Sequence, residues 1–438
     1  MTVETALKVG RAIGYLFRNS TTKGRIVIGK DTRLSGYMLE AALIAGICSM
    51  GSDALLLGPL PTPGIGFITR DMRADAGIVI SASHNPYQDN GIKVFDGEGM
   101  KLSDKLEKEL EELVFSGRID HIRPTATQIG KASRVVDALG RYIVHLKRTF
   151  PSHLTLEGIK IVIDCAHGAT YRVAPAVFSE LGAQVVVMNN TPDGTNINRG
   201  GALFPHKTAR EVRRLGADVG FSFDGDGDRV IPVDETGAVL DGDFLMAICA
   251  RYMKRKHRLR ANTVVATVMS NIGLERSLAE ARIEMVRTKV GDRHVLEEML
   301  ETGAVIGGEQ SGHIIMLDRV HTGDGIWGAL SLLEAMHGER KRLAELAECM
   351  ERYPQVLMNV RVGRRTPFEE LPDVQDALRR AEEMLEGKGR VLLRYSGTEP
   401  LARVMVEGAC RRTVNKAVRM VAEAVAASLP LSLIHISE

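Results

Sequence analysis

Three times along the chain a short apolar run breaks into a polar, glycine-bearing loop and then into a helical pattern. The runs are Arg25 to Gly29 (R-I-V-I-G), Ile159 to Asp164 (I-K-I-V-I-D) and Thr263 to Met269 (T-V-V-A-T-V-M). The loops after them are Lys30 to Gly36, Cys165 to Gly168 and Ser270 to Gly273. Strands that are apolar on both faces are buried on both faces, which predicts parallel sheets covered by helices. The spacing far exceeds the roughly 20–50 residues of a solenoid repeat. The pattern therefore predicts three related α/β domains. Further strands are expected at Ala54 to Leu57 and Gly77 to Ile80, with helices over residues 3–17, capped by Thr2, and from the first loop through Ala45.

The last part reads differently. Val356 to Val362 alternates as a half-buried strand. A charged helix follows near Phe368 to Glu386, then strands at Gly389 to Leu393 and Ala402 to Glu407, then a helix over Val414 to Ala427. That succession is an α+β unit. The tail beyond Pro430 is apolar and carries no assigned role.

Composition narrows the function classes. Lys and Arg number 57 against 55 Asp and Glu, so a general polyanion binder is disfavoured. Aromatic residues make up only 5%, too few for base-stacking platforms, so nucleic acid is not expected as a partner. Cys48, Cys165, Cys249, Cys349 and Cys410 form no C-x-x-C pair and read as reduced thiols of a cytoplasmic protein. No apolar stretch reaches the ~18 residues of a membrane span, and the opening M-T-V-E-T-A-L-K-V-G is not built like a signal peptide.

Four polar stretches carry chemistry. Gly77 to Lys93 runs from a buried strand into S-A-S-H-N-P, where the proline ends the ladder. A hydroxyl, the His84 imidazole and the Lys93 amine gathered at a strand's carboxyl end suit a nucleophile and its helpers. Spacing leaves Ser81 and Ser83 as equal candidates. The second stretch is Phe221 to Arg229, F-S-F-D-G-D-G-D-R. Asp224, Asp226 and Asp228 repel unless a cation holds them, and the glycines between let them converge on a hard ion such as Mg²⁺, Ca²⁺ or Mn²⁺. With Glu235 they fall on the first, third, fifth and twelfth positions of an EF-hand loop. Arg229 stands where that loop needs glycine, and the flanks Ala217 to Phe223 and Val230 to Val233 read as strands, so the EF-hand is rejected. An aspartyl phosphotransferase, with Asp224 or Asp226 as nucleophile, is a rival reading.

The third stretch, Gly307 to His313 (G-G-E-Q-S-G-H), offers Glu309, Ser311 and His313 on a glycine-rich loop suited to sugar hydroxyls. The fourth, Arg394 to Pro400 (R-Y-S-G-T-E-P) with Arg403 beyond, combines forked guanidinium, hydroxyls and backbone N–H groups. It is a phosphate cradle without a Walker loop. A carrier hydroxyl, a hard-metal site, a polyol loop and a phosphate clamp together describe phosphoryl transfer on a phosphorylated sugar.

On S-A-S-H-N-P, D-G-D-G-D-R, G-E-Q-S-G-H and R-Y-S-G-T-E-P, in that order, the chain resembles the α-D-phosphohexomutases over nearly its whole length. Gln310 and N-G-I-K-V-F after the serines favour the branch that acts on glucosamine phosphates. The resemblance implies four domains around a central cleft, three α/β with mixed sheets and a C-terminal α+β lid. They are expected over residues 1–138, 139–241, 242–355 and 356–438. It implies Ser83 as the phosphoserine carrier, with Asp224, Asp226 and Asp228 holding one Mg²⁺ and the phosphoserine as a further ligand. His84, Lys93 and Arg229 would steady the phosphoryl group or move protons. Lys289, Glu309, Ser311 and His313 would serve the sugar, and Arg394, Ser396, Thr398 and Arg403 would grip the phosphate that is not reacting.

The implied reaction interconverts glucosamine 6-phosphate and glucosamine 1-phosphate through glucosamine 1,6-bisphosphate, on the way to UDP-N-acetylglucosamine. A monomer or homodimer is expected. Phosphomannomutase or phosphoglucomutase activity in the same fold is the nearest rival, and a non-catalytic sugar-phosphate binder a further one. The family pattern also opens with a strand and G-T-D-G-I-R-G, whereas this chain starts in its first helix. The resemblance thus implies a strand and an active-site arginine ahead of Met1, from a late start or a truncation.

Overall fold

The computed structural model describes residues 1–18, 23–317, 322–396, 399–429 and 434–436. The chain divides into two compact units. One comprises residues 1–269 and 281–349, the other residues 270–280 and 350–438.

The first unit holds three sheets. The first contains β1 (Arg25–Lys30), β2 (Asp53–Pro59), β3 (Ala76–Ile80), β4 (Ile92–Asp96) and β5 (Ala132–Arg134), in the order β4-β3-β1-β2-β5. The second contains β6 (Lys160–Asp164), β7 (Gln184–Met188), β8 (Val219–Phe223) and β9 (Val230–Asp234), ordered β7-β6-β8-β9. The third contains β10 (Thr263–Thr267), β11 (Glu284–Thr288), β12 (Ile306–Gly308) and β13 (Ile314–Met316), ordered β11-β10-β12-β13.

These are one design used three times. The opening strand is central, the next two flank it in parallel, and a fourth returns antiparallel beside the third. β5 is an addition to the first sheet. The repeat inferred from the three apolar runs is thus a repeat of topology. Each antiparallel return is joined by a loop at the carboxyl end of the third strand, where open α/β sheets bind ligands. Those loops are residues 81–91, 224–229 and 309–313.

Packing explains the strands. β3 and β8 are buried at every position, β3 as an unbroken apolar run and β8 with Ser222 paired to the Thr208 hydroxyl at 2.7 Å. Phe178 and Phe221 stack with ring centroids 5.8 Å apart under the second sheet. In the first domain the helix Val3–Leu16, capped by Thr2, crosses the helix Ser35–Ser49 at two glycines. A Cβ on Gly10 would stand 2.6 Å from the Leu43 carbonyl oxygen, and one on Gly46 2.4 Å from that of Leu7. Only glycine lets the two backbones approach so closely. The helix expected to stop at Ala45 continues to Ser49, ending where Gly51 takes a left-handed φ of 94°.

The second unit is a sheet with β14 (Gln355–Arg361), β15 (Gly389–Tyr395), β16 (Leu401–Gly408) and β17 (Ile434–Ile436), ordered β15-β16-β14-β17 and antiparallel throughout. Helices Pro372–Leu385 and Arg411–Ser428 contribute Val374, Ala381, Val418 and Val421 to a core with Val360, Val404 and Val406. The helix expected from Phe368 starts later, with Pro372 at its first turn. Proline fits there because that position has no helical N–H bond to lose. Residues 368–370 form a separate 3₁₀ turn. No helix among the described residues is long and apolar enough to cross a membrane.

Candidate active site

The loops of the first two sheets meet at one hydroxyl. Ser83 Oγ donates to Asp224 Oδ2 at 2.8 Å. Ser83 holds a left-handed φ of 48°, a strained choice for a residue with a Cβ. Gly225 makes room for it: a Cβ there would lie 2.7 Å from the Ser83 carbonyl oxygen. Ser81 points elsewhere. It is buried, and its Oγ donates to Asp31 Oδ2 at 2.7 Å. The two serines that spacing leaves equal are therefore distinct in space.

Asp224, Asp226 and Asp228 are all buried, and one carboxylate oxygen from each lies within 4.8 Å of the others. Lys93 on β4 donates to Asp226 Oδ2 at 2.7 Å and lies 3.8 Å from Asp228. Thr62 Oγ1 donates to the same Asp226 oxygen at 2.6 Å. Asp226 Oδ1 and Asp228 Oδ1 are buried without a hydrogen-bond partner among the described residues. Two bare carboxylate oxygens beside a third carboxylate need a cation, and an all-oxygen set suits a hard divalent ion. The donor set therefore fits a divalent metal.

The neighbours settle the local charges. Burial, then Asp228 and Asp226, push the Asp224 carboxyl up. Burial also acts to raise Asp228, but His313, Lys93 and Arg229 outweigh it and hold it down. Burial acts against the charge of Lys93, and the aspartates overcome it, so its pKa is raised. His84 stands at the solvent side, where desolvation and the Arg229 guanidinium lower its pKa. Arg229 donates its backbone N–H to Asp224 Oδ1 at 3.2 Å.

The third loop is tied to the second through its backbone: Arg229 and His313 form an antiparallel bridge, and Val230 N–H donates to the Gly312 carbonyl at 3.1 Å. His313 is buried, with Nδ1 3.5 Å from Asp228 and Nε2 3.7 Å from Asp292. Glu309 Oε1 accepts from Gly291 N–H at 3.1 Å, and Ser311 Oγ donates to Glu309 Oε2 at 3.4 Å. Lys289 is exposed two residues from Gly291.

In the second unit Arg394 and Arg403 are direct partners across β15 and β16. Burial and then Arg403 lower the pKa of Arg394. Ser396 Oγ accepts from Glu399 N–H at 3.4 Å, and Arg403 donates to Glu399 at 2.9 Å. Thr398 lies outside the described residues.

Several participants carry no local signal in the sequence. Thr62 reaches Asp226, Asn198 reaches the Ser83 carbonyl at 2.8 Å, and Arg33 reaches the same carbonyl at 2.9 Å. The D-T-R loop after β1 reads only as a strand-to-helix connection. Its place at a strand's carboxyl end was the available hint.

Four family models match the chain in order. They are the phosphoglucomutase/phosphomannomutase alpha/beta/alpha domain I over residues 1–119, domain II over 140–237, domain III over 241–353, and the C-terminal domain over 357–424. The chain is 58% identical over 409 residues to a phosphoglucosamine mutase of Geobacter sp. (strain M21), covering 93% of this chain and 90% of that one. It is 55% identical over 426 residues to a phosphoglucosamine mutase of Geotalea uraniireducens (strain Rf4), covering 97% and 94%. Among solved structures, a phosphoglucomutase/phosphomannomutase family protein from Burkholderia thailandensis superposes with a TM-score of 0.81 at 23% identity, covering 99% of this chain and 95% of that one. The Aspergillus fumigatus N-acetylphosphoglucosamine mutase, solved with GlcNAc-6P and magnesium, has a TM-score of 0.64 at 17% identity, covering 84% and 93%. At these identities the two structures speak for the fold.

Proposed function

The chain belongs to the phosphoglucomutase/phosphomannomutase family and is a mutase of phosphorylated sugars. From that premise we propose that it carries a phosphoryl group on Ser83 and interconverts glucosamine 6-phosphate and glucosamine 1-phosphate. The observation that carries the site assignment is the 2.8 Å contact between Ser83 Oγ and Asp224 Oδ2 beside two unpartnered carboxylate oxygens. The choice of an amino sugar is supported by the names of relatives at 55–58% identity over most of both chains.

The C1 hydroxyl of glucosamine 6-phosphate attacks phosphoserine 83, a new O–P bond forms, and the Ser83 Oγ–P bond breaks. Glucosamine 1,6-bisphosphate results. The sugar turns over, and Ser83 Oγ takes the phosphoryl group from C6, which releases glucosamine 1-phosphate and restores the carrier. Asp224, Asp226, Asp228 and the phosphoserine would hold a Mg²⁺, which would neutralise charge on the moving group. Lys93 and Arg229 steady the phosphoryl oxygens. His84, whose pKa burial and the Arg229 guanidinium lower, accepts the attacking hydroxyl's proton and returns it to the leaving oxygen. Glu309 and Ser311 address sugar hydroxyls with Lys289 beside them, while His313 fixes Asp228 from beneath. Arg394, Ser396, Thr398 and Arg403 hold the idle phosphate. We read the domains as residues 1–138, 139–241, 242–355 and 356–438, in a cytoplasmic enzyme.

The test is turnover of glucosamine 6-phosphate by the Mg²⁺-loaded, phosphorylated enzyme with catalytic bisphosphate, against glucose and mannose 6-phosphates. A higher kcat/KM for either plain hexose phosphate would overturn the amino-sugar assignment.

A further inference from the structure

The left-handed serine is held from behind. Arg33 is fully buried, and its guanidinium spends every N–H on the loop that carries Ser83 or on Asp31. Nη2 donates to the carbonyls of Ser83 and Asn85, both at 2.9 Å. Nη1 donates to those of Pro86 and Asp89. Nε donates to Asp31 Oδ2 at 2.8 Å, and the Arg33 backbone N–H to Asp31 Oδ1 at 3.0 Å. Asp31 Oδ2 also accepts from Ser81 Oγ, which in turn accepts the Ser83 N–H at 2.9 Å. Asn198 Nδ2 repeats the grip on the Ser83 and Asn85 carbonyls at 2.8 and 3.0 Å.

Four loop carbonyls converging on one cation fix the backbone from Ser83 to Asp89, and Ser81 Oγ holds the Ser83 N–H on the other side. An ammonium has three donors and no fork, so lysine cannot reproduce the set. Arg33 lies behind the loop, with the Ser83 peptide between it and the Oγ–Asp224 contact. It therefore acts through the loop and not on the substrate.

We propose that Arg33, braced by Asp31 and linked through Ser81, is the positioning residue that aims the phosphoryl-bearing hydroxyl of Ser83 at the transferring group. The proposal rests on the reading of Ser83 as carrier. Transfer depends steeply on aim: a displacement of about 1 Å costs on the order of 100-fold in rate.

The experiment compares wild type, Arg33→Lys and Ser81→Ala, each as intact phosphorylated enzyme, with phosphopeptide mapping, steady-state kinetics on glucosamine 6-phosphate and phosphorus NMR. For Arg33→Lys the expected result is phosphate on Ser83, kcat lower by about 100-fold, KM within about threefold, and a shifted or broadened phosphoserine resonance. Ser81→Ala keeps the guanidinium and loses one link, so kcat falls by about tenfold at unchanged KM and near-native melting. Arg33→Lys folded, phosphorylated and with kcat within about threefold of wild type overturns the brace. If Arg33→Lys does not fold, unchanged kcat in Ser81→Ala overturns it. Wild type that turns over with no phosphate on Ser83 overturns the carrier reading and the brace with it.

Discussion

Arg394 and Arg403 face each other directly across two antiparallel strands, and the Nε of each is buried without a hydrogen-bond partner among the described residues. Like charges opposite one another destabilise a sheet, and buried N–H groups are costly when unpaired. An anion between the two guanidinium groups relieves both. Arg403→Ala is expected to raise KM for glucosamine 6-phosphate by roughly 10–100-fold, the worth of one charge-assisted hydrogen bond. Inorganic phosphate should raise the melting temperature of the wild type but not of an Arg394→Ala, Arg403→Ala double variant, measured by differential scanning calorimetry.

Ser83→Ala removes the atom that Asp224 contacts and the atom that accepts phosphate. Mutase turnover should vanish, and no phosphopeptide should appear on incubation with the bisphosphate. An aspartyl carrier predicts the opposite: Ser83→Ala would still be labelled, and hydroxylamine would release the label. Ser81→Ala, by contrast, should lower turnover without abolishing it, since Ser81 Oγ joins the Asp31 carboxylate to the Ser83 N–H but carries no phosphoryl group.

What the sequence makes legible is what sits close together along the chain. The D-G-D-G-D-R loop declares a metal site because three carboxylates within five residues can only converge on a cation. The apolar runs within β3, β6 and β8 declare buried strands. Residues that act at long range are silent. Arg33 lies 50 residues from Ser83 and Thr62 lies 164 from Asp226, and neither stretch carries a pattern that names its target. β5 escapes notice because it is three exposed residues at a sheet edge. His313 reads with the sugar loop around it, yet it is buried between Asp228 and Asp292.

The acidic triad predicts a metal-linked stability. A Mg²⁺ held by Asp224, Asp226 and Asp228 would relieve their mutual repulsion in the folded chain, so it should stabilise by about 2.7 kcal/mol at one hundred times its dissociation constant. Asp226→Asn, Asp228→Asn should abolish that gain, and because it also takes both carboxylate partners from Lys93 the double variant melts below wild type in EDTA. A rise with Mg²⁺ over EDTA in the wild type and none in the double variant is the expected calorimetric pattern. A rise of the same size in both would place the ion elsewhere.

Asp324 gives a pH signature beside the triad, with Asp228 among the groups that raise its carboxyl. Its Oδ1 accepts the Trp327 N–H at 3.0 Å and caps the helix Gly325–Glu339, while Oδ2 accepts from the buried Tyr142 hydroxyl at 2.7 Å. Burial pushes its carboxyl from 3.8 up to about 6, despite those hydrogen bonds. Below pH 3.8 both folded and unfolded chains hold the proton. Between there and about pH 6 the unfolded chain releases it while the folded chain keeps it, so stability falls as pH rises. Above about pH 6 both have released it and the loss is complete, at up to about 3 kcal/mol. Asp324→Asn does not titrate, keeps the capping oxygen and lets the Tyr142 hydroxyl accept from the new amide. In urea unfolding the stability of Asp324→Asn relative to wild type should therefore rise between pH 4 and pH 7 by up to that amount. Taking the difference cancels the titrating groups that do not interact with residue 324. A flat difference across that range would mean that Asp324 ionises alike in the folded and unfolded chains.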